Sequence, residues 1–345
     1  MEKKERHSGI ELLRILAAIG VIFLHYNNAN IGGGLKYVAS GSINELYLRL
    51  NETIFCSSVN IFMLISGYFL CDTRKVKRFK IVYLLSDVLF IRISVYCFRV
   101  IFGMVVFSIK ELIYAILPTN YFIILYLAIY LISPYINLLL ETLNEEQYKK
   151  MLLTFFLVFS VWSYGVDCLE KVLGGDINAL SPIGMSGSQY GCTVVNFSLL
   201  YIIGAYIKRF KIQFDFKHLL IMAGSILALF FLSTFGARAW LYNNPLVIAL
   251  ATTIFLLFRN FKFYSKSINN LAGASLTCYI FHGYFIKFLN IESFVNQNII
   301  VLILHQLVVG TVLYIISFLV YKLFTISIGR LLTHFNTNSE ITGGV

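Results

Sequence analysis

The chain has 345 residues, of which 58% are hydrophobic and 16% aromatic but only 13% are charged. Soluble domains carry roughly 25% charged residues, so this composition excludes a soluble globular enzyme, a disordered chain and a disulfide scaffold. The formal net charge is +11, and because the chain is so apolar, the position of its basic residues around a membrane decides what that charge means.

Stretches without Asp, Glu, Lys or Arg recur along the whole chain. They contain 19 residues after Glu52, 20 after Lys217 and 29 after Glu292, and crossing a bilayer takes about 20 apolar residues. We therefore predict an all-α, polytopic transmembrane helical bundle of about ten spans. The predicted spans are 8–28, 53–71, 81–108, 120–140, 150–166, 193–208, 218–236, 240–258, 270–289 and 299–321.

The basic residues predict how these spans are oriented. With the N-terminus inside, the cytoplasmic segments hold 19 Lys and Arg, the outer segments hold 6, and Arg14, Arg92 and Arg99 fall within spans. This distribution follows the positive-inside rule and predicts a multi-pass protein of the cytoplasmic membrane with both termini cytoplasmic. The basic excess then indicates topology, with some affinity for membrane lipid or a phosphorylated cytosolic ligand, and not nucleic-acid binding.

The first span, GIELLRILAAIGVIFLHYNN, carries three residues that indicate chemistry. Arg14 and His25 lie within about 20° of one helix face, with His25 about 16 Å nearer the outer surface. Glu11 precedes Arg14 by one turn, which predicts an ion pair. A charge inside a span indicates function, and histidine suits a general base. The alternative is a snorkelling arginine and an interfacial histidine.

The second span reads NIFMLISGYFL, in which Ser66 and Gly67 predict a close approach of another helix. A basic loop follows it at once on the predicted cytoplasmic side. Lys and Arg suit phosphate oxygens, so this loop is a candidate binding site for an anionic ligand. Its basic residues are Arg74, Lys75, Lys77, Arg78 and Lys80.

Arg92 and Arg99 lie seven residues apart in the third span, within about 20° of one face. They either line the path of a ligand or are satisfied near the span ends by Asp87, lipid and backbone groups. We favour the first interpretation, because Arg92 is expected near the middle of the span. The fourth span then contains Pro134, which frees a backbone carbonyl for another partner.

The longest segments outside the predicted spans are 28–52 and 167–192, both predicted to lie outside the membrane. The second is rich in Gly and Ser, which predicts a loop, and loops of this length commonly cover a site. Cys168 and Cys192 flank this loop, and two free thiols are favoured over a bridge between them. No cysteine and histidine cluster at zinc spacing occurs, so no metal is expected.

The ninth span, SLTCYIFHGYF, places His282 deep within the membrane. A lone membrane histidine is more often a hydrogen-bonded packing residue than a catalyst, so His282 is a candidate for a structural or substrate-binding role.

Together these segments resemble the acyltransferase-3 family of integral-membrane acyltransferases. The family's pattern of an arginine, ten residues and a histidine matches Arg14 and His25, with Glu11 as the acidic residue before them. Its segment ending in Ser-Gly-Phe/Tyr matches NIFMLISGYFL, its aromatic helix ending in Ser-Pro matches 121–134, and its late Tyr-Leu-Ile-His matches 279–282. The resemblance covers 8–325 and leaves 326–345 as a short cytoplasmic polar tail.

The sequence departs from the family at two points. The family often shows Arg-x-x-Arg after the second span, and only Lys75-x-x-Arg78 approximates it here. Some members also carry a C-terminal extracytoplasmic esterase-like domain, which this sequence does not contain. Any transfer step that such a domain completes is therefore expected to occur in the membrane part or elsewhere.

The resemblance implies an O-acetyltransferase that moves acetyl from cytosolic acetyl-CoA to a hydroxyl of a cell-surface or lipid-linked polysaccharide. His25 would then deprotonate the acceptor or briefly carry the acyl group. Arg14 and Glu11 complete the expected catalytic residues, and the acyl-CoA is expected on the basic residues Arg74, Lys75, Lys77, Arg78, Arg92 and Arg99. Ser66, Gly67 and His282 are further substrate or structural candidates.

The alternative from another class is a polysaccharide exporter, flippase or glycan polymerase without acyl transfer. Such proteins also have many spans and buried arginines. They do not require an arginine and a histidine at this spacing in the first helix together with the Ser-Gly-Tyr segment.

Overall fold

The helices of the computed structural model follow the apolar segments in chain order. It describes residues 7–236 and 238–335, and that part contains no strand. The first eight α-helices are α1 Ser8–Asn27, α2 Gly34–Tyr37, α3 Ile43–Phe55, α4 Ser58–Leu70, α5 Arg78–Ile101, α6 Ile109–Ile116, α7 Tyr121–Thr142 and α8 Glu145–Phe156. The remaining α-helices are α9 Ser163–Leu173, α10 Val194–Arg209, α11 Phe216–Thr234, α12 Pro245–Asn260, α13 Lys266–Leu271, α14 Ser275–Phe285, α15 Glu292–Val295 and α16 Ile299–Phe324.

Each predicted span coincides with helix, which confirms the all-α transmembrane bundle. In the described ranges, 8 helical stretches are long and apolar enough to cross a membrane. The other two predicted spans coincide with α12, which has only 16 residues, and with α13 and α14, which a 3-10 turn at Ala272–Ala274 separates. The number of crossings and the side on which each terminus lies stay predictions.

Several helix boundaries differ from those predicted. Helix α4 begins at Ser58 and not at 53, because a turn at Cys56 and Ser57 separates it from α3. Helix α5 ends at Ile101 and not at 108, because Gly103 adopts a φ of 67°, a left-handed conformation typical of helix C-termini. Residues 43–52, predicted to lie outside the membrane, form helix together with the first three residues of the second predicted span, and this helix α3 packs against α1.

The C-terminal helix extends further than its predicted span. After α16, a π-helical turn at Thr325–Gly329 leads into helix that continues to Phe335. The first ten residues of the predicted tail 326–345 therefore extend the last helix. The rest of that tail lies outside the described residues.

Helix α1 lies at the centre of the bundle and packs against α3, α4, α12, α14 and α16. The Ser8 hydroxyl donates to Oδ1 of Asn269, 2.8 Å away, at the first turn. At the last turn, Nδ2 of Asn27 donates to Oε2 of Glu52 over 2.9 Å. These bonds fix both ends of α1, so the side chains along it have defined positions inside the bundle.

Helices α4 and α10 make the closest helix crossing of the core. A Cβ atom on Gly67 would overlap the backbone of Tyr201, and one on Gly204 would overlap the backbone of Leu64. Small residues on both helices let their backbones meet. The close approach predicted at Ser66 and Gly67 is thus confirmed, and α10 is the helix that approaches.

Two names describe the ends of the bundle. The inner end is the one at which α1 begins at Ser8, and the outer end is the one at which α1 finishes at Asn27. The basic loop between α4 and α5 lies at the inner end, because Phe69 near the end of α4 lies 5.5 Å from the Arg14 guanidinium and Lys80 lines a cavity together with Glu11 and Arg14. The inner end is the one predicted to face the cytoplasm.

Candidate active site

His25 lines a cavity of about 300 Å³ at the outer end of the bundle, which we call the outer cavity. Its walls also include the rings of Tyr121, Trp240 and Tyr242 and the carboxylate of Glu52. Aromatic rings with a polar edge, such as those of Tyr and Trp, contact apolar surface and form hydrogen bonds at the same time. The outer cavity thus offers contacts for a ligand that has both apolar faces and hydroxyl groups.

The segment between α11 and α12 forms one wall of the outer cavity, and hydrogen bonds hold it in place. The Tyr242 carbonyl accepts from Nδ2 of Asn60 over 2.8 Å, and its N–H donates to the Tyr190 carbonyl over 3.0 Å. The Trp240 indole donates to the Thr53 hydroxyl over 3.0 Å. The Tyr242 phenol lines the outer cavity, where its hydroxyl can act as a hydrogen-bond donor.

His25 forms a hydrogen bond with a second histidine. Nε2 of His282 lies 2.6 Å from Nδ1 of His25, and Nδ1 of His282 lies 2.7 Å from the Cys278 carbonyl oxygen. A carbonyl only accepts, so Nδ1 of His282 carries a proton. With His282 neutral, as its full burial in an apolar bundle favours, its Nε2 accepts from Nδ1–H of His25. This leaves Nε2 of His25 as an unprotonated base.

Arg14 lines a second cavity, of about 430 Å³, which we call the inner cavity. Its Nη1 lies 3.4 Å from Oε2 of Glu11, the ion pair that the spacing predicts. Lys80 and Asp87 also line this cavity, and the Asp87 carboxylate accepts from the Thr277 hydroxyl over 3.3 Å. The inner cavity therefore presents two cationic side chains near the predicted cytoplasmic side.

Aromatic rings lie between the two cavities. Tyr121 lines the outer cavity, and its neighbour Phe122 lines the inner one. The ring centroids of Phe122 and Tyr279 are 4.8 Å apart, and those of Tyr279 and His282 are 6.4 Å apart. We call Phe122, Tyr279 and His282 the ring layer. Through this layer the wall of the inner cavity, which includes Phe122 and Tyr279, adjoins His282 and the His25 that it contacts.

The first half of the basic loop points away from the inner cavity. Arg74 forms an ion pair with Glu141 at the end of α7. Lys75 lines a separate cavity of about 490 Å³, together with Arg74 and Pro134. These two residues lie on the same end of the bundle as Arg14, but the structure does not bring them into the cavity that Arg14 lines.

The second half of the basic loop leads to the inner cavity. Lys77 is exposed, and its backbone N–H donates to the Tyr130 hydroxyl over 3.1 Å. Arg78 is exposed at the first turn of α5. Lys80 lies over the Tyr130 ring, 4.5 Å from its centroid, and lines the inner cavity beside Arg14. Of the five basic side chains in the loop, Lys80 is the one placed there.

Arg92 does not line either cavity. Its guanidinium donates to the carbonyl oxygens of Ala115 over 3.0 Å and of Tyr114 over 2.6 Å, at the end of α6. Arg99 lies in the last turn of α5, toward the outer end, and is only partly buried. Backbone carbonyls of α6 thus satisfy Arg92 in the middle of α5, as in the second interpretation but away from the span ends.

The remaining sequence candidates fall into three different places. Ser66 lines the inner cavity, and its hydroxyl donates to the Phe62 carbonyl over 2.8 Å. Gly67 faces α10, where it permits the helix crossing. His282 is fully buried against His25 at the outer end, so it has both a packing contact and a direct link to the predicted base.

Sequence reasoning did not single out Glu52 and Asp87 as site residues. Asp87 is 4% exposed, and its Oδ1 atom has no hydrogen-bond partner in the described part of the chain. An acidic residue within an apolar span indicates function, so Asp87 could have been identified from the sequence alone. Glu52 ends a charged segment and gives no such signal.

Within the described ranges no group of three or more His, Cys, Asp or Glu forms a metal-ligand cluster, and the six cysteines are unpaired.

Comparison with known families matches almost the whole chain. A family model for acyltransferase 3, described as an acyltransferase domain, matches residues 7–322. This range includes both cavities and the ring layer. Neither the curated proteins nor the solved structures contain a significant match to the chain.

Proposed function

We propose that this chain, which belongs to the acyltransferase 3 family, transfers acetyl from cytosolic acetyl-CoA to a hydroxyl of a surface or lipid-linked polysaccharide. The membership makes it a multi-pass membrane acyltransferase. The donor, the acceptor and a location in the cytoplasmic membrane are parts of the proposal. One observation carries it: α1 presents Arg14 to the inner cavity and His25 to the outer cavity.

The inner cavity supports a CoA thioester as donor. CoA carries phosphates at one end and the thioester at the other, so it suits a site with cations near the cytoplasm and an apolar path behind them. Arg14 and Lys80 supply the cations, and charge-assisted hydrogen bonds to phosphate are among the stronger ones. The exposed Lys77 and Arg78 lie in the same loop as Lys80 and add positive charge outside the cavity.

The outer cavity supports a hydroxyl acceptor. Nε2 of His25 is the free base, and its other nitrogen is fixed by His282. In the proposed reaction, Nε2 of His25 takes the proton of the acceptor hydroxyl while the hydroxyl oxygen bonds to the acetyl carbon. The bond between that carbon and the CoA sulfur breaks, and the proton passes from His25 to the leaving thiolate. A positioned general base contributes typically about 10²–10⁴ in rate.

The experiment measures the acetyl content of surface polysaccharide by NMR. It compares cells without the gene with cells carrying the wild type or His25→Ala at equal membrane abundance. We expect acetyl esters with the wild type, and none with His25→Ala or without the gene. His218→Gln is the matched control, because His218 lies in a capping box at the start of α11, where glutamine preserves the cap.

Two results would overturn the proposal. Full acetylation with His25→Ala would reject His25 as the base. If acetylation is the same with and without the gene while the amount or chain length of the glycan differs, the result would favour an exporter or a polymerase. Consumption of acetyl-CoA by membranes that hold the protein separates these cases, because an exporter or polymerase does not cleave the thioester.

A further inference from the structure

An apolar groove runs along the side of the bundle between α5, α14 and α16. It has a volume of about 600 Å³, and its walls include Ser94, Phe98, Phe285, Val312 and Ile316. Its residues on α16 run from 305 to 320, which is about 22 Å at 1.5 Å per residue. A groove of this length and character matches an extended hydrocarbon chain.

A polar pocket of about 480 Å³ lies at the outer end. Lys36 and Lys287 line it from two separate segments, and Asn30, Asn290 and Glu292 are further polar residues in its walls. Both lysines are exposed, and neither forms an ion pair with any residue that the structure describes. Two ammonium groups outnumber the one carboxylate, so this pocket favours an anion.

The groove and the polar pocket meet at one turn of the chain. A 3-10 turn at Ile286–Phe288 follows α14. In this turn and the two residues after it, Phe288 and Leu289 line the groove, whereas Lys287 and Asn290 line the pocket. The apolar and the cationic surface are therefore adjacent. A ligand that fills both has a hydrocarbon chain joined directly to an anionic group.

The polar pocket also borders the outer cavity. Asn28 lines the outer cavity, while the next residue, Ala29, lines the pocket. The Gly32 N–H donates to the His25 carbonyl oxygen over 3.0 Å, so the pocket wall is tied to the last turn of α1. The three spaces follow one another as groove, pocket and outer cavity.

We propose that the groove and the polar pocket bind the lipid anchor of the acceptor, a long-chain lipid phosphate or diphosphate that carries the glycan. The chain lies in the groove, the phosphate lies between Lys36 and Lys287, and the attached sugars reach His25. This inference rests on the proposed function for the acceptor, but binding of the lipid phosphate itself needs no acyl transfer.

The test measures binding of farnesyl phosphate to the purified full-length protein in detergent, by native mass spectrometry with titration. Farnesol and inorganic phosphate are the comparison ligands. Two variants are tested. One is the double lysine variant, which carries both Lys36→Gln and Lys287→Gln, and the other is Ser94→Phe, whose added ring fills the groove. Lys110→Gln is the matched control, since Lys110 is an exposed lysine of α6 outside the groove and the pocket.

We expect the wild type to bind farnesyl phosphate in preference to both comparison ligands. The double lysine variant and Ser94→Phe are expected to weaken binding about tenfold or more, and Lys110→Gln leaves it unchanged. Inorganic phosphate that displaces farnesyl phosphate at equal concentration would overturn the proposal in favour of a free-anion site. Equal binding of farnesol, or undiminished binding by the double variant, would also overturn it.

Two further measurements separate this proposal from the proposed function. His25→Ala is expected to keep full farnesyl phosphate binding although it loses transfer, and loss of binding in this variant would contradict separate binding and catalytic sites. In transfer assays, the double lysine variant is expected to raise KM about tenfold for a lipid-linked acceptor. For a water-soluble oligosaccharide its KM is expected to stay at the wild-type value, and an equal rise for both acceptors would overturn the lipid-anchor site.

Discussion

Nε2 of His282 lies 2.6 Å from Nδ1 of His25, although 257 positions separate the two residues in the chain. The contact joins α1 to α14 and, through Nδ1 of His282, to the backbone of Cys278. Since that carbonyl fixes which nitrogen of His282 holds the proton, it also fixes which nitrogen of His25 is free. The tautomer of the proposed base is therefore set by a backbone atom.

Replacing His282 with Ala is expected to lower kcat for acetyl transfer about 10²-fold, at the lower end of the general-base effect. The reason is that His25 loses the acceptor that orients its ring, while both cavities keep their charged residues. Initial rates at saturating donor and acceptor measure the effect. His282→Gln is expected to recover part of the rate, because its side-chain carbonyl also accepts a hydrogen bond.

Cys278→Ala is the control for this prediction, because the backbone carbonyl that binds His282 remains while the thiol is removed. We expect its kcat to stay within about twofold of the wild type. A rate of His282→Ala as high as that of Cys278→Ala would contradict a positioning role for His282.

Arg14→Gln is expected to raise KM for acetyl-CoA about tenfold while KM for the acceptor stays constant, since a hydrogen bond to a charged group contributes about 1.5–3 kcal/mol. Arg92→Gln provides the comparison, because Arg92 binds the backbone of Tyr114 and Ala115. We expect this second variant to lower thermal stability and leave KM for acetyl-CoA unchanged. A raised KM in Arg92→Gln would instead place Arg92 on the donor path.

Gly67→Val is expected to destabilise the protein by about 1–3 kcal/mol, the range typical of overpacked positions. The added side chain overlaps the backbone of Tyr201 at the crossing of α4 and α10. Gly224→Ala is the matched variant, because the space around Gly224 in α11 is open. It is expected to be neutral or stabilising by about 0.5–1 kcal/mol, as thermal unfolding in detergent can measure. Equal effects of the two variants would argue against a tight crossing.

Cysteine labelling tests whether α12 crosses the membrane although it has only 16 residues. In a variant without the six native cysteines, Arg238→Cys precedes α12 and Lys262→Cys follows it. A membrane-impermeant maleimide applied to intact cells is expected to label the first position and not the second. Labelling of both positions would mean that α12 does not cross, and the count of ten spans would then be wrong.

The apolar spans could be predicted from the sequence because hydrocarbon excludes charge over a whole helix length. Helix α3 could not be predicted in this way, because Glu45, Arg49 and Glu52 give its segment the charged pattern of an outer loop. In the structure Arg49 pairs with Glu45 over 2.7 Å, and Glu52 accepts from Asn27. These charges are therefore satisfied beside α1, which local composition does not reveal.

The candidate site was predictable where it depends on a single helix. Spacing along α1 identified Glu11, Arg14 and His25 before any fold was known. The partnership of His25 with His282 depends on how α1 and α14 pack, and no local pattern encodes it. Arg92 shows the opposite case. Its spacing predicts the face of α5 on which it lies, but its long side chain reaches the backbone of α6 and not the predicted ligand path.

The ring layer of Phe122, Tyr279 and His282 links the walls of the two cavities through side chains. Phe122 and Tyr279 line the inner cavity, and His282 contacts His25, which lines the outer one. A substitution in this layer therefore changes the surroundings of both cavities at once. Kinetic constants for donor and acceptor are expected to change together in such a variant, unlike those of a variant confined to one cavity wall.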